Sequence, residues 1–359
     1  MLGALKKTDN LTTFFITGVQ RSGTTLLSFM LRNHPDILLG DYSIAFRIIE
    51  VLKTKFGRVL PHYLHRSRAD LLARLVEVDY KGRLAELLAE VDWSGSESVQ
   101  EALAKALQTR VAAAGKRCWG DKSPNLQAYL PELLTLLPDA RIVHIVRDGR
   151  ATALSMHQRA HQDLRWSAQQ WVDGNLFALQ YQVLLGEARL LIVRYEDLLT
   201  HSAQVMQQIC SFLGLEFHPA VLSPASRESC VTAGKAYVAP KLKTDKIDRY
   251  RQQLNAQQLR QIERIQGPLL RKLNYTLHSE LAETDFRYLS VGQQVFLRTK
   301  DNFRALFRAN EVRLVDWQEQ KVAVPFRKRL GFFVRVLCQD LLSRRLFDAI
   351  FNKKHQQLP

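Results

Sequence analysis

The stretch "TGVQRSGTTLL", residues 17–27, carries the residue types of an anion-binding loop. It follows the apolar run 14–16 and leads into an apolar, helix-compatible stretch that ends at Leu31. A glycine-containing loop between a strand and a helix directs backbone N–H groups at an anion, at the positive end of the helix dipole. The sequence therefore predicts that this loop binds a phosphate or a chemically related group.

The loop departs from the nucleotide-hydrolase pattern at one position. Gly18 to Thr25 matches G-x-x-x-x-G-K-[ST] except that Thr24 stands where the lysine would be. Because that lysine stabilises charge on the β- and γ-phosphates, hydrolysis of a nucleoside triphosphate is disfavoured here. Arg21 remains as a planar cation with several donors, which suits a phosphorylated ligand bound without Mg²⁺.

Two later apolar segments also predict strands that end in polar turns. Residues 142–146 form the first of these, and "RLLIVRYEDLL" (189–199) contains the second, each followed by a helical pattern. Strands alternating with helices predict a parallel α/β sheet covered on both faces, with ligands at the carboxyl ends of its strands. Arg147 leaves such an end and Ser155 lies about two helical turns further on, so both are placed to approach one anion. The alternative for Arg147 is a structural ion pair with Asp148 or Glu196.

The rest of the chain supplies helices and an extension. Residues 46–115 have mostly helical periodicity and are interpreted as a cover over the site. A turn is predicted at 120–123, with Ser123 as helix cap and Pro124 at the first helical position. From about residue 279 the alternation of strand and helix stops, which predicts a main domain over 1–278 and a basic, mostly helical extension over 279–359. Within the extension, residues 327–354 mix bulky apolar residues with basic clusters, which leaves docking on the main domain, a second subunit or an anionic membrane as its role.

Composition favours an anionic ligand. The 359 residues carry 51 Lys and Arg against 35 Asp and Glu, a formal net charge of +16. No zinc-finger spacing or RNA-binding signature accompanies this charge, so a nucleic acid partner is not expected. No carboxylate cluster indicates a metal site. The four cysteines are far apart in sequence and no signal peptide is expected, so we interpret the protein as cytoplasmic, with peripheral membrane contact as an option for the extension.

Four motifs, in order, resemble one family: "GVQRSGTTLL", "DKSPNL", "IVHIVRDGRATALSM" and "IVRYEDLL". Over about residues 12–276 they resemble sulfotransferases that use 3′-phosphoadenosine 5′-phosphosulfate (PAPS), especially tyrosylprotein sulfotransferases and their bacterial relatives. The resemblance implies a P-loop-like α/β fold and metal-independent, in-line transfer of a sulfuryl group from PAPS to a hydroxyl acceptor. The acceptor can be a carbohydrate, a lipid, a small molecule or a peptide, and the sequence does not choose among them.

The resemblance also assigns roles to single residues. Lys122 resembles the catalytic lysine of the branch whose loop carries arginine, and it would stabilise charge on the leaving phosphate. In the late basic segment Lys246 and Arg249, with Arg251 beside them, resemble residues near the cofactor. The remaining cofactor contacts fall into a group for the 5′ end and a group for the 3′-phosphate. The first contains Arg21, Ser22, Gly23, Thr24 and Thr25, and the second contains Arg147 and Ser155.

The catalytic base is the point at which the sequence departs from the family. Tyrosylprotein sulfotransferases have a G-E-E segment after the first helix, where this chain reads Gly40-Asp41-Tyr42. Tyr42 takes the place of the catalytic glutamate, and Asp41 is the nearest carboxylate. Asp41 is therefore either the base or a cap of the next helix, with His157 or His161 as alternative bases.

Two other functions compete with the sulfotransferase. A P-loop nucleotide kinase is disfavoured by Thr24 and would require ATP and Mg²⁺. A non-catalytic module that binds an anion or a membrane would keep the loop without turnover. A comparison of the binding affinities for adenosine 3′,5′-bisphosphate and for ATP distinguishes these functions.

Overall fold

The computed structural model describes residues 11–40, 99–222, 231–232, 235–236, 244 and 247–307. A five-stranded, parallel sheet lies at its centre, with the strand order β2-β3-β1-β4-β5. The strands are β1 (Thr12–Thr17), β2 (Ile37–Leu39), β3 (Cys118–Lys122), β4 (Arg141–Val146) and β5 (Leu190–Arg194). The predicted parallel α/β sheet is confirmed.

Helices connect the strands and continue beyond the sheet. They are α1 (Thr24–Arg32), α2 (Val99–Ala113), α3 (Leu130–Leu136), α4 (Gly149–Ala160), α5 (Leu164–Leu185), α6 (Tyr195–Thr200), α7 (Ser202–Leu213), α8 (Arg249–Gln253), α9 (Ala256–Lys272) and α10 (Val291–Phe307). Short 3₁₀ turns lie at Leu126–Tyr129, Pro219–Leu222 and Glu283–Asp285. A small antiparallel pair joins β6 (Val231–Thr232) and β7 (Lys235–Ala236).

The sheet is buried on both faces. Successive residues of a strand point to opposite faces, and Phe14 and Phe15 accordingly belong to different apolar clusters. Phe15 packs in a cluster that includes Leu107 of α2 and Leu133 of α3. Phe14 packs in a second cluster that includes Leu27 of α1 and residues of α7. Because apolar layers cover both faces, the polar residues that follow the strands gather at the sheet's edge.

The central position of β1 places the ends of three strands side by side. Ile16 of β1 pairs with Lys122 of β3, and Thr17 pairs with His144 of β4. The loop that follows β1 is therefore flanked by the carboxyl ends of β3 and β4. This arrangement brings together the sequence motifs that contain Arg21, Lys122 and Arg147.

The predicted turn at 120–123 is wrong. Gly120, Asp121 and Lys122 belong to β3, which pairs with both β1 and β2. A Cβ atom on Gly120 would lie 2.3 Å from the Phe14 ring, so this glycine makes room for a core side chain. The residue before the 3₁₀ turn is Asn125, with a φ of 65°, so the helical turn does not begin at Pro124. Pairing with two neighbouring strands overrides the local turn preference of glycine and aspartate.

The first part of the extension packs on the main domain. Leu289 N donates to Gln169 Oε1 at 2.8 Å, and Asp163 N donates to Asp301 Oδ2 at 2.6 Å. Leu297 of α10 is 2% exposed. Residues 308–359 and residues 46–98 of the predicted cover (46–115) lie outside the described residues, and the domain boundary stays a prediction. Across the described ranges, we find no helix with the length and apolarity needed to cross a membrane.

Candidate active site

The loop after β1 has the backbone geometry of an anion-binding turn. Arg21 and Gly23 have φ values of 73° and 107°, and Ser22 N donates to Val19 O at 3.1 Å. A Cβ atom at Gly23 would lie 2.3 Å from the Tyr195 ring, so the position needs glycine for both φ and space. α1 begins directly after this turn, at Thr24. Its first N–H groups have no partner within the helix and face the same side as the loop.

Two buried hydroxyl groups beside the loop fit the binding of ligand oxygens. Ser22 is 0% exposed and Ser123 is 1% exposed. In the part of the chain that the structure describes, neither Oγ atom has a hydrogen-bond partner. Buried hydroxyls are normally hydrogen-bonded, so this pair is a candidate donor set for an oxyanion.

The structure brings Arg21, Arg147 and Ser155 together. Arg21 Nε donates to Ser155 Oγ at 3.1 Å, and Arg147 Nη1 donates to Arg21 O at 3.3 Å. The Arg147 guanidinium carbon lies 4.7 Å from the centre of the Tyr195 ring. This cation–π contact helps to hold the Arg147 side chain in place. Two guanidinium groups and a hydroxyl thus border one loop, and the spacing of the motifs predicted this proximity for Arg147 and Ser155.

The carboxylates considered as structural partners of Arg147 are bound by other donors. Asp148 Oδ2 pairs with Arg150 Nη2 at 2.7 Å. Glu196 accepts from Asp148 N at 2.9 Å and from the Tyr275 hydroxyl at 2.8 Å. Both acids thus have other donors, and Arg147 Nη1 itself contacts the loop through Arg21 O.

Lys122 ends β3 beside the loop. Burial lowers the pKa of Lys122 from the usual 10.5, Asp121 opposes this effect and the positive charge of Arg32 adds to it. A half-buried ammonium interacts with a nearby anion more strongly than one in water does. Lys122 therefore carries a partly buried positive charge at the end of the strand next to β1.

The model described as "Sulfotransferase family" matches residues 13–219, which is more than half of the chain. The chain belongs to the sulfotransferase family. The match includes the loop, Lys122, Arg147 and Ser155.

Relatives of this sulfotransferase-family chain are distant. The protein-tyrosine sulfotransferase of Drosophila melanogaster is 27% identical over 215 residues, which cover 58% of this chain and 39% of that protein. Nodulation protein NoeE of Sinorhizobium fredii is 32% identical over 143 residues, which cover 40% of this chain and 30% of that protein. The chain thus spans less than half the length of these two relatives.

A solved structure supports the fold. The sulfotransferase domain of the Synechococcus PCC 7002 olefin synthase aligns with a TM-score of 0.52 at 22% identity. The alignment covers 76% of this chain and 98% of that domain. The P-loop-like sulfotransferase fold implied by the four motifs is confirmed.

The remaining predicted site residues have different outcomes. Asp41, Tyr42 and Lys246 lie outside the described residues. Arg249 is exposed at the start of α8, whose Gln253 accepts a hydrogen bond at 3.0 Å from Gln158 of the Ser155 helix α4. Arg249 is therefore on an element next to the site, and its contact with a ligand stays a prediction. Within the described ranges, no group of three or more His, Cys, Asp or Glu side chains is arranged to hold a metal ion.

The two alternative bases face another part of the molecule. His157 is two residues beyond Ser155, a rotation of about 200° around α4, so the two side chains point to opposite sides. His157 and His161 line a cleft with Gln258 of α9 and Arg304 of α10. His157 Nδ1 lies 2.6 Å from Gln162 O. This placement does not support either histidine as the base at the loop.

Proposed function

We propose that the protein transfers a sulfuryl group from PAPS to a hydroxyl acceptor. The observation that carries the proposal is the convergence of Arg21, Arg147 and Ser155 at the loop after β1, in a chain that belongs to the sulfotransferase family. PAPS carries a phosphate on the 3′ oxygen and a phosphosulfate on the 5′ oxygen of its ribose, and the site offers two groups of donors.

Each group of donors has one task. The backbone N–H groups at the start of α1, with the hydroxyls of Ser22, Thr24 and Thr25, would bind the 5′-phosphosulfate. Arg147 and Ser155 would bind the 3′-phosphate. The hydrogen bond from Arg21 to Ser155 joins the two groups of binding residues, because the Arg21 guanidinium extends from the loop to the helix that carries Ser155.

The chemical step needs positive charge at the leaving group. As the bond between sulfur and the bridging oxygen breaks, negative charge grows on that oxygen, and the Lys122 ammonium would stabilise it. The acceptor hydroxyl must lose its proton as the new S–O bond forms, and Asp41 is the candidate base. Since Arg21, Arg147 and Lys122 supply the positive charges, we propose in-line transfer that needs no metal. We also propose a reducing, cytoplasmic setting.

The first test is nucleotide binding by titration calorimetry. We expect the protein to bind adenosine 3′,5′-bisphosphate more tightly than ATP, with no effect of EDTA. Replacing Arg21 or Arg147 by alanine should weaken binding about tenfold to a hundredfold, since a charge-assisted contact contributes about 1.5 to 3 kcal/mol. Arg260→Ala is the matched control, because this arginine is 55% exposed on α9. Unchanged affinity in both site variants, or a requirement for Mg²⁺, contradicts the proposal.

The pH dependence tests Lys122 in the free enzyme. Its lowered pKa means that the ammonium is lost at a lower pH than in an ordinary lysine. We therefore expect kcat/KM for PAPS to fall on the alkaline side, beginning below pH 10.5. Lys122→Arg keeps its charge over this range and should lose the alkaline limb, although its turnover is lower. The same limb in both proteins would assign it to a different group.

A further inference from the structure

Asn125 forms two hydrogen bonds with the loop that follows β1, here called the donor loop (residues 18–23). Its backbone N–H donates to Gly18 O at 2.9 Å, and its side-chain Oδ1 accepts from Gln20 N at 3.1 Å. Gly18 and Gln20 form the first half of the loop, and Asn125 lies more than a hundred residues later in the chain. One residue therefore fixes both a carbonyl and an amide of the same short segment.

The backbone of Asn125 makes this double contact feasible. Its φ of 65° and ψ of 12° lie in the left-handed region, which asparagine tolerates better than most residues do. Ser123 N donates to Ile16 O at 3.0 Å, so the chain after β3 continues alongside β1 and then along the loop. Asn125 thus follows Lys122 on one segment that runs beside the donor loop.

These bonds determine which loop groups are left for a ligand. Gly18 O and Gln20 N are bound by Asn125, and Ser22 N is bound by Val19 O. With those groups bound inside the protein, the N–H groups that begin α1 are among those left for an anion. Prior orientation of donors is what makes such a site effective, and an error of about 1 Å costs about a hundredfold in rate.

We propose that Asn125 is a positioning residue that clamps the first half of the loop, so that the N–H groups at the start of α1 face the 5′-phosphosulfate of PAPS. The proposal rests on the proposed function for the identity of the ligand, PAPS. The clamp itself does not depend on that identity, since both of its contacts are made within the protein.

The experiment compares two glycine variants. Asn125→Gly keeps the left-handed backbone and removes the side-chain acceptor. Asn274→Gly is the matched control, since Asn274 also has a positive φ, of 61°, and lies beyond α9. Three readouts are measured on the full chain: hydrogen exchange at the Gln20 amide by NMR, affinity for adenosine 3′,5′-bisphosphate, and kcat.

We expect Asn125→Gly to expose the Gln20 amide to exchange and to lose about tenfold in nucleotide affinity and in kcat. The control should match the wild type in all three. Wild-type protection at Gln20 in Asn125→Gly overturns the clamp, and lost protection with wild-type affinity and kcat overturns its positioning role. A merely structural role would lower the unfolding midpoint without changing either of these functional values.

A second variant keeps the proposal testable if Asn125→Gly does not fold. Asn125→Asp retains an oxygen acceptor and a tolerated left-handed backbone, so its Gln20 amide should stay protected. Rapid exchange in this variant overturns the clamp. A wild-type chain that binds no adenosine 3′,5′-bisphosphate would contradict the proposed function, whereas exchange at Gln20 would still decide the clamp.

Discussion

Replacing Lys122 by alanine is expected to lower kcat by about 10²-fold to 10⁴-fold, with nucleotide affinity within a few-fold of the wild type. Lys122 pairs with Ile16 at the end of β1, directly before the loop that contains Arg21. The charge that its ammonium stabilises appears on the leaving oxygen in the transition state and is much smaller in the bound donor. A contact made mainly in the transition state changes kcat and leaves ground-state binding nearly untouched.

Two measurements on the same variant separate catalysis from binding. Release of adenosine 3′,5′-bisphosphate from PAPS, with the first hydroxyl acceptor found to be active, gives kcat, and calorimetry gives the affinity. Lys272→Ala is the control, since this lysine is exposed at the end of α9 and should change neither value. If Lys122→Ala loses affinity and keeps kcat, Lys122 is a binding residue and the leaving group is stabilised by another side chain.

The strands that were predicted from sequence share one property. Each of β1, β4 and β5 is an apolar run that ends at or directly before a polar residue, so the local pattern carries both the strand and its boundary. The positions of Arg21 and Arg147 follow from those boundaries, because Arg147 comes directly after β4 and Arg21 lies in the loop after β1. The spacing of Arg147 and Ser155 predicted that these two residues approach one place, whereas the hydrogen bond from Arg21 to Ser155 was not predicted.

The strand β3 was not predictable in this way. Gly120 and Asp121 favour turns locally, and the energy that makes them a strand comes from pairing with β1 and β2, which are distant in sequence. The same applies to Asn125. The local sequence "DKSPNL" does not predict the hydrogen bonds of Asn125 to Gly18 and Gln20, because these bonds form only when β3 lies beside β1.

Arg150 is the site neighbour that sequence reasoning missed. In "VRDGRATAL" it has the appearance of a surface arginine early in a helix, yet it is 1% exposed. It donates to Asp148 Oδ2 at 2.7 Å, to Glu263 Oε1 at 2.6 Å and to Thr276 O at 2.7 Å. Its guanidinium carbon lies 4.8 Å from the centre of the Tyr250 ring. Burial acts to lower the pKa of Arg150, and the hydrogen bond and charge of Asp148 outweigh it, so the pKa is raised.

Replacing Arg150 by methionine is expected to lower the free energy of unfolding by about 3 to 5 kcal/mol. Methionine fills much of the volume, but Asp148 and Glu263, which are 5% and 0% exposed, would be left as buried carboxylates without their cation. Urea denaturation measures the loss. Arg165→Met is the matched control, because Arg165 is 45% exposed in its ion pair with Asp163 and such pairs contribute about 0 to 1 kcal/mol.

A double variant shows whether the loss comes from uncompensated charge. Glu263→Gln removes one of the two buried negative charges, so in the Arg150→Met background it should restore part of the lost free energy of unfolding. In the wild-type background the same change should destabilise, because it breaks the pair with Arg150 while the arginine stays buried. If Glu263→Gln is destabilising in both backgrounds by the same amount, the two side chains are not energetically coupled, and Arg150 would act through packing against Tyr250 instead.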